Sequence, residues 1–287
     1  MSLPKLKRRK RETHKGDYGH IFVLAGSTGM TGAAFLCCEA AILSGAGLVT
    51  LGIPKSLNLL MERKLTEQMT LPLAQTREGS LSKRSFKKIS EFAKKSDVLA
   101  IGPGLSTNIQ TQGLCRSLIS SLNKPMVIDA DALNAIASNM SVLKKRSDKT
   151  AGAVITPHPG EMARLIGKPI SFIKKNKKSV ARSFASEYNV TTVLKGYKTT
   201  VASPGGTVYT NSTGNPGMAS GGVGDILTGI IAALLASGMD NFKAARLGTY
   251  IHGLAGDIAA KSKGEISLRA TDLLSFLPQA FKKVYRQ

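Results

Sequence analysis

The 287-residue sequence predicts a three-layer α/β fold with a mainly parallel central sheet and a β-hairpin at one edge. Three observations predict it. Short apolar runs alternate with longer amphipathic stretches, which is typical of strands joined by crossover helices. The turn Ser203-Pro-Gly-Gly206 separates two further short apolar runs, as in a hairpin. Chemically active residue types follow the strand ends, where open parallel sheets bind their ligands.

The predicted strands are short apolar runs bounded by Gly, Pro or Asp. In chain order they cover residues 21–25, 48–53, 98–101, 126–128, 153–155 and 192–194, and the hairpin pairs 199–202 with 208–211. Predicted helices cover residues 31–43, 132–137, 226–237, 242–261 and 270–285. We expect residues 1–15 to form a basic N-terminal tail and residues 16–287 to form one domain.

Composition excludes several classes of protein. Hydrophobic residues make up 42% of the chain, enough to bury a core. The longest apolar stretch, residues 226–239, is about 14 residues long, shorter than the roughly 20 of a membrane span, and the basic N-terminus lacks the apolar region of a signal peptide. Three cysteines without ligand spacing argue against a disulfide framework or a zinc site, so we expect no metal ligands in the site and a cytoplasmic location.

The net charge of +22 is concentrated in the tail, which holds seven Lys and Arg, and in clusters at 83–95 and 168–178. Charge runs of this kind are usually solvated surface. The alternative is attraction of polyanions, but no known nucleic-acid-binding pattern accompanies the charge. We therefore do not expect nucleic acid as a partner.

The segment most indicative of function is the glycine-rich stretch Asn211-Ser-Thr-Gly-Asn-Pro-Gly-Met-Ala-Ser-Gly-Gly-Val-Gly-Asp225, which precedes an apolar helix. Backbone N–H groups and the helix N-terminus together favour a bound phosphate. Asp225 then falls in the first helical turn, as a cap or as a general base beside the phosphate. Neither the GxxxxGK[ST] nor the GxGxxG phosphate motif is present.

Seven segments in order resemble one family. They are His14-Lys-Gly-Asp-Tyr-Gly19, Ala25-Gly-Ser-Thr-Gly-Met-Thr-Gly-Ala33, Ser44-Gly-Ala-Gly-Leu-Val-Thr50, Gly102-Pro-Gly-Leu105, Asp129-Ala-Asp-Ala-Leu-Asn134, Thr156-Pro-His-Pro-Gly-Glu-Met162 and Asn215-Pro-Gly-Met-Ala-Ser-Gly-Gly-Val-Gly-Asp225. Together they resemble the ADP/ATP-dependent NAD(P)H-hydrate dehydratases, which have a ribokinase-like fold. The resemblance implies a lyase that restores NADH or NADPH from the S epimer of its hydrate: the ring hydroxyl is phosphorylated and phosphate is then eliminated.

The resemblance also implies residue roles. Asp225 would be the catalytic base and would contact the substrate, together with Ala33, Gly104 and His158. One wall of the nucleotide site would consist of Lys195, Gly196, Tyr197, Lys198 and Thr199, and the other of Asn215, Pro216, Gly217, Met218, Ala219, Ser220, Gly221, Gly222, Val223 and Gly224. ADP or ATP with Mg²⁺ would donate the phosphoryl group. A homotetramer and a separate epimerase acting in the same pathway are also implied.

Each residue keeps a structural alternative. His158 and Gly104 could serve only as turn residues, and Lys195 could be a surface lysine. Asp129 and Asp131 could cap a helix, and Glu161 could stabilise a first helical turn. For the whole chain the alternatives are a small-molecule kinase of the same fold, acting on a thiazole, a hydroxymethylpyrimidine or a sugar, and a basic nucleic-acid-binding protein.

Overall fold

The computed structural model describes residues 2–6, 8–147 and 151–285. Residues 1 and 7 of the predicted tail, and residues 148–150 and 286–287 of the predicted domain, lie outside the described residues.

Within the described residues, nine strands form one sheet in the order β3-β2-β1-β4-β5-β6-β7-β8-β9. Strands β1 to β7 are all parallel, whereas β8 and β9 pair antiparallel at one edge. The predicted mainly parallel sheet and edge hairpin are confirmed. The strands are β1 (His20–Leu24), β2 (Leu48–Pro54), β3 (Met69–Leu73), β4 (Val98–Ile101), β5 (Met126–Ile128), β6 (Ala153–Ile155), β7 (Thr191–Leu194), β8 (Thr200–Ala202) and β9 (Val208–Thr210).

Among the described strands, β3 is the one that the sequence pattern does not predict. It lies at the sheet edge, paired only with β2, and Met69 at its start is 44% exposed. Pro72 lies within it, and proline is tolerated in a strand mainly at a sheet edge, where a backbone N–H is not needed. Because of the exposed Met69 and of Pro72, residues 69–73 lack the buried apolar run that is typical of the inner strands.

Twelve α-helices of the described chain cover the two faces of this sheet. They are α1 (Thr31–Leu43), α2 (Asn58–Lys64), α3 (Phe86–Ala93), α4 (Ile109–Ser121), α5 (Ala130–Ala137), α6 (Ser141–Ser147), α7 (Pro159–Ile166), α8 (Ile170–Lys175), α9 (Lys177–Tyr188), α10 (Val223–Ala236), α11 (Asn241–Lys263) and α12 (Ala270–Tyr285). None of them, over the residues described, is both long and apolar enough to cross a membrane.

Successive side chains of the inner strands point to opposite faces of the sheet, so a hydrophobic core lies on each face. In β1, Ile21 and Val23 point into a core shared with α1, α10, α11 and α12, whereas Phe22 and Leu24 point into a core on the opposite face with α3, α4, α5 and α9. The cysteines are buried free thiols within these cores. The fold is therefore three-layered, as predicted.

The described tail residues contact the domain at several points. Leu6 packs against the core formed by α1, α10, α11 and α12. Arg9 donates a hydrogen bond of 2.8 Å to the carbonyl of Gly45, and its guanidinium lies 4.0 Å from the centroid of the Tyr18 ring. Arg246 of α11 donates to the carbonyl of Ser2 at 2.8 Å. These contacts hold the tail against the domain surface.

The order of the strands determines where a ligand can bind. The chain moves outward from β1 to β2 and β3, returns to β4 on the other side of β1, and continues to β7. Loops on either side of the β1/β4 junction therefore diverge and leave a crevice at the carboxyl ends of these strands.

Candidate active site

The β1/β4 crevice brings together two predicted substrate contacts. Gly104 follows β4, and Ala33 lies in the first turn of α1, directly after the glycine-rich turn that follows β1. Gly104 has φ +61°, and a Cβ there would lie 3.0 Å from the Ala33 Cβ and 2.9 Å from the Met30 carbonyl. The Ser27 hydroxyl donates to the Gly104 carbonyl at 2.8 Å. The crevice wall thus requires glycine at 104, and backbone is exposed to any ligand there.

Lys195 is at the centre of a buried ion cluster rather than at the surface. Its ammonium donates to Asp129 Oδ1 at 2.8 Å and lies 3.9 Å from Glu161 Oε2. The hydroxyl of Thr228, on α10, donates to the other oxygen of Asp129 at 2.8 Å. These side chains come from the ends of β5, β6 and β7 and from α10, so the cluster joins the sheet to the helix that follows the glycine-rich loop.

Asp129 therefore does not act as a helix cap through its side chain. It occupies the position before α5, but both carboxylate oxygens accept bonds from elsewhere, and no cap hydrogen bond from its side chain is present. Asp131 accepts from the backbone N–H of Ser106 at 2.8 Å and so connects α5 to the loop after β4.

Asp225 lies at the third position of α10, after the N-cap Gly222. Burial raises the pKa of its carboxyl to about 7; the Asp129 carboxylate raises this pKa further, while the Lys195 ammonium opposes the shift. A base with a pKa near neutrality is matched to proton transfer at neutral pH. The carboxyl is thus suited to accept a proton beside a phosphate bound at the helix N-terminus.

The glycine-rich loop is anchored by hydrogen bonds at its start and is exposed near its end. Asp257 of α11 accepts from Gly214 N–H at 2.9 Å and from the Asn215 amide at 3.1 Å. At the other end, a Cβ at Gly221 would meet nothing within 4 Å, whereas Gly222 has φ +87° and a Cβ there would lie 2.4 Å from Leu36. The surface beside Gly221 is therefore open and adjoins the N-terminus of α10, whose first N–H groups have no partner within the helix, as an anion site requires.

The two predicted walls of the nucleotide site meet at Lys195 and Gly224. A Cβ at Gly224 would lie 3.4 Å from the Lys195 ammonium. Of the other predicted nucleotide residues, Tyr197 is 87% exposed, and Ala219, Ser220 and Gly221 are also exposed. Val223 is buried in the core and can offer only its backbone, and Met218 packs partly against the same core.

His158 joins the site as an N-cap. Its Nδ1 accepts the backbone N–H groups of Gly160 at 2.9 Å and Glu161 at 3.3 Å, while Glu161 Oε2 accepts from the His158 N–H at 2.7 Å. Burial raises the pKa of Glu161 to about 7, although the Lys195 ammonium opposes the shift. Burial and the charge of Lys195 lower the pKa of His158, so the ring is neutral at neutral pH.

The segment 195–199 depends on a lysine that the sequence pattern does not single out. Lys177, at the start of α9, donates to the carbonyls of Tyr197 at 2.8 Å and Lys198 at 3.2 Å. Lys198 has φ +52°, a conformation that residues other than glycine seldom adopt. Burial lowers the pKa of Lys177 to about 8. The two bonds therefore hold a strained turn in the nucleotide wall.

We predict that Lys177→Met raises the KM for ADP or ATP several-fold, with kcat within about threefold of wild type. Each lost hydrogen bond weakens the turn by roughly 1 kcal/mol, and the chemical groups are untouched. Steady-state kinetics at varied nucleotide concentration measure both constants. Lys178→Met, which removes the adjacent exposed lysine, is the matched control and should change neither. An unchanged nucleotide KM in Lys177→Met would contradict this positioning role.

Mg²⁺ fits the site only together with a nucleotide. Across the described residues, no group of three or more His, Cys, Asp or Glu side chains is placed to hold a metal ion. Mg²⁺ commonly binds through substrate phosphates and water with one or two carboxylates, so it needs no such cage. The loop N–H groups and the N-terminus of α10 supply the positive field that phosphates carrying Mg²⁺ would enter.

Three side chains of the candidate site, Lys177, Thr228 and Asp257, were missed in the sequence. Lys177 gives no signal, because it lies in a run of lysines. Thr228 does give one: it is a polar residue in an otherwise apolar helical stretch, one turn after Asp225 and hence on the same helix face. Glu161, predicted only as a possible first-turn stabiliser, takes that role and also lies in the Lys195 cluster.

Comparison with known proteins agrees with this geometry. The NAD(P)H-hydrate dehydratase family matches residues 21–279. The bifunctional NAD(P)H-hydrate repair enzyme of Moorella thermoacetica is 44% identical over 97% of this chain, which spans about half (52%) of that relative. The ADP-dependent (S)-NAD(P)H-hydrate dehydratase of Neisseria meningitidis is 35% identical over 90% of this chain and 83% of its own.

A solved structure extends the agreement to three dimensions. The ADP/ATP-dependent NAD(P)H-hydrate dehydratase of Bacillus subtilis, co-crystallised with ATP and Mg²⁺, superposes with a TM-score of 0.83 at 30% identity and covers 98% of this chain and 95% of its own. Sequence and structure therefore show that the chain belongs to the NAD(P)H-hydrate dehydratase family.

Proposed function

We propose that this chain restores NADH and NADPH from the S epimers of their hydrates, using ADP or ATP with Mg²⁺ as phosphoryl donor. The observation that carries the proposal is the placement of Asp225. Its carboxyl, with a pKa of about 7, lies in the first turn of α10 beside the open glycine-rich loop and the Lys195 cluster. The enzymes named above, with the same fold, support the substrate.

In the first step, Asp225 accepts the proton of the ring hydroxyl, whose oxygen forms a bond to the terminal phosphorus as the bond to the nucleotide breaks. When bound, the nucleotide would supply the phosphoryl group, and Mg²⁺ would neutralise part of its charge. The N–H groups around Gly221 and the α10 N-terminus bind the charge that develops on the transferred group. The Lys195 ammonium opposes the rise in the pKa values of Glu161 and Asp225, and so favours the ionised forms of these acids beside the reacting atoms.

In the second step, the carbon–oxygen bond breaks with phosphate as leaving group, and the neighbouring ring carbon loses a proton, which leaves with the phosphate as hydrogen phosphate, to restore the double bond. Ala33 and Gly104 form the crevice wall along which the dinucleotide lies. The exposed Gly221 segment remains open to solvent, so phosphate can leave by that side.

The assay adds hydrated NADH or NADPH to the enzyme with Mg²⁺ and either ADP or ATP, and follows the return of the reduced nicotinamide absorbance. We expect no recovery without nucleotide, and one AMP or ADP formed per cofactor restored. The small-molecule kinase is not favoured, and phosphorylation of hydroxyethylthiazole or hydroxymethylpyrimidine in the same mixture tests it. Absence of recovery with both nucleotides would reject the proposed activity.

We further propose a cytoplasmic homotetramer that works alongside an NAD(P)H-hydrate epimerase. The support is the family resemblance, together with a bifunctional repair enzyme among the relatives. Sedimentation velocity of the purified chain tests the tetramer.

A further inference from the structure

Three cations line an open groove at the carboxyl ends of β2 and β3. A cleft of about 510 Å³ that includes Lys55, Ser56, Gln75 and Arg84 adjoins one of about 470 Å³ that includes Gln75, Arg77, Arg84 and Gln110. Because Gln75 and Arg84 belong to both, the two clefts form one continuous groove, here called the β2–β3 groove. The predicted and proposed roles above leave it unassigned.

The cations of this groove are not neutralised by the protein. In the part of the chain that the structure describes, no carboxylate lies within ion-pairing distance of Lys55, Arg77 or Arg84. The one acid of the same loop, Glu78, accepts a hydrogen bond from Asn108 at 2.9 Å. Unpaired guanidinium groups that converge on a cleft favour a phosphate, which they can bind in a bidentate manner.

The loop that carries Gln75 and Arg77 is rigid. Buried hydroxyls hold it: Thr76 and Ser80 lie 2.9 Å apart, and Thr111 of α4 donates to Ser80 at 2.9 Å. The side-chain amide oxygen Oε1 of Gln75 accepts the Ser56 N–H at 2.8 Å, which connects the loops after β2 and β3. The backbone of the groove is therefore held in place by the protein itself, and it carries the exposed side chains of Lys55, Arg77 and Arg84.

The groove continues the substrate crevice. Thr28, in the turn between β1 and α1, donates from its N–H to the Gly79 carbonyl at 3.0 Å, so the turn leading to Ala33 packs on the loop of Arg77. Asp129 lies at the end of β5. Strand β2 is three strand spacings from β5, which is about 14 Å along the sheet edge. That direction leads away from Asp225 past Gly104 and Ala33, as an extended dinucleotide would.

We propose that the β2–β3 groove binds the 2′-phosphate of the adenosine ribose of hydrated NADPH, so that the enzyme prefers hydrated NADPH to hydrated NADH. The inference rests on the proposed function, because it places the damaged ring of the dinucleotide at Asp225. The two hydrates differ only in this phosphate, and it is the one group that unpaired cations at this distance would distinguish.

The test compares wild type with the double variant Arg77→Gln/Arg84→Gln on both hydrates. We expect the wild-type kcat/KM to be at least about tenfold higher for hydrated NADPH, since one charge-assisted contact supports a difference of that order. The double variant should lose about tenfold or more with hydrated NADPH and less than about threefold with hydrated NADH. Lys87→Gln, which removes a nearby exposed charge of α3, should change neither value.

A second measurement separates this inference from the proposed reaction. Calorimetric titration of wild type and double variant with the products NADPH and NADH needs no turnover. A tighter Kd for NADPH that disappears in the double variant supports the groove. Equal affinities in wild type, or an equal loss for both hydrates in the variant, overturn it even if the enzyme is active. An enzyme inactive on both hydrates would reject the reaction, while the titration would still report on the groove.

Discussion

Asp225→Asn is expected to lower kcat by about 10²- to 10⁴-fold, the usual cost of removing a general base. Asparagine has nearly the same shape but cannot accept the proton of the ring hydroxyl. The glycine-rich loop and Lys195 remain, so the Kd for ADP or ATP should stay within a few-fold of wild type. Single-turnover kinetics on hydrated NADH, with nucleotide affinity measured by calorimetry, separate these effects.

The same substitution should stabilise the protein at high pH. The folded-state pKa of Asp225 is raised, so the native protein binds its proton more tightly than the unfolded chain does. Stability is lost as pH rises from the unfolded pKa of about 4 through the folded pKa of about 7. Asp225→Asn removes this loss, so its Tm should exceed that of wild type above pH 7, and the difference should vanish below pH 4.

Asp240→Asn is the matched control for both effects. Asp240 caps α11 from an exposed position, its side chain being 54% exposed, and its pKa is lowered rather than raised. Its replacement should leave kcat unchanged and should not raise the Tm at high pH. If Asp225→Asn restores NADH at close to the wild-type rate, Asp225 is only a first-turn helix residue and the assigned mechanism is wrong.

The second large effect is expected for Lys195→Met. Its ammonium compensates Asp129, Glu161 and Asp225, which lie in a buried site. Removing one partner of a buried ion pair typically costs about 3–5 kcal/mol of unfolding free energy. The pKa values of Glu161 and Asp225, now without their positive neighbour, should rise further. We therefore expect kcat to fall at neutral pH, because Asp225 stays protonated.

The stability deficit of Lys195→Met should depend on pH in a defined direction. Below pH 5 Glu161 and Asp225 are protonated in both proteins, so the deficit is smallest there; it grows as pH rises past 7 and these groups must ionise without a cation. Urea denaturation at pH 5 and pH 8 measures both values. Lys243→Met breaks an exposed ion pair with Asp240 and should cost less than about 1 kcal/mol at either pH. A pH-independent deficit for Lys195→Met would contradict the charge-compensating role.

The inner strands were predictable because each is an apolar run ended by Gly, Pro or Asp, and parallel strands buried on both faces have this pattern. The edge strand β3 was not, because Pro72 and the exposed Met69 interrupt the pattern. For the site, the glycine-rich loop and Asp225 stand in one contiguous segment and could be recognised there. The pairing of Lys195 with Asp129 joins residues 66 apart, and that of Thr228 with Asp129 joins residues 99 apart, so only the folded chain shows them.

The cap made by His158 decides which ring nitrogen carries a proton. Because Nδ1 accepts two backbone N–H groups, the neutral imidazole must hold its hydrogen on Nε2. This Nε2 lies 3.4 Å from Glu161 Oε1 at the half-exposed edge of the ring, so that edge carries a donor and no lone pair. In the proposed reaction a carbonyl oxygen of the substrate would suit that edge, whereas the proton lost from the ring carbon would go to another group. Acidification below the lowered pKa of His158 would protonate Nδ1 and remove the side-chain cap from the start of α7.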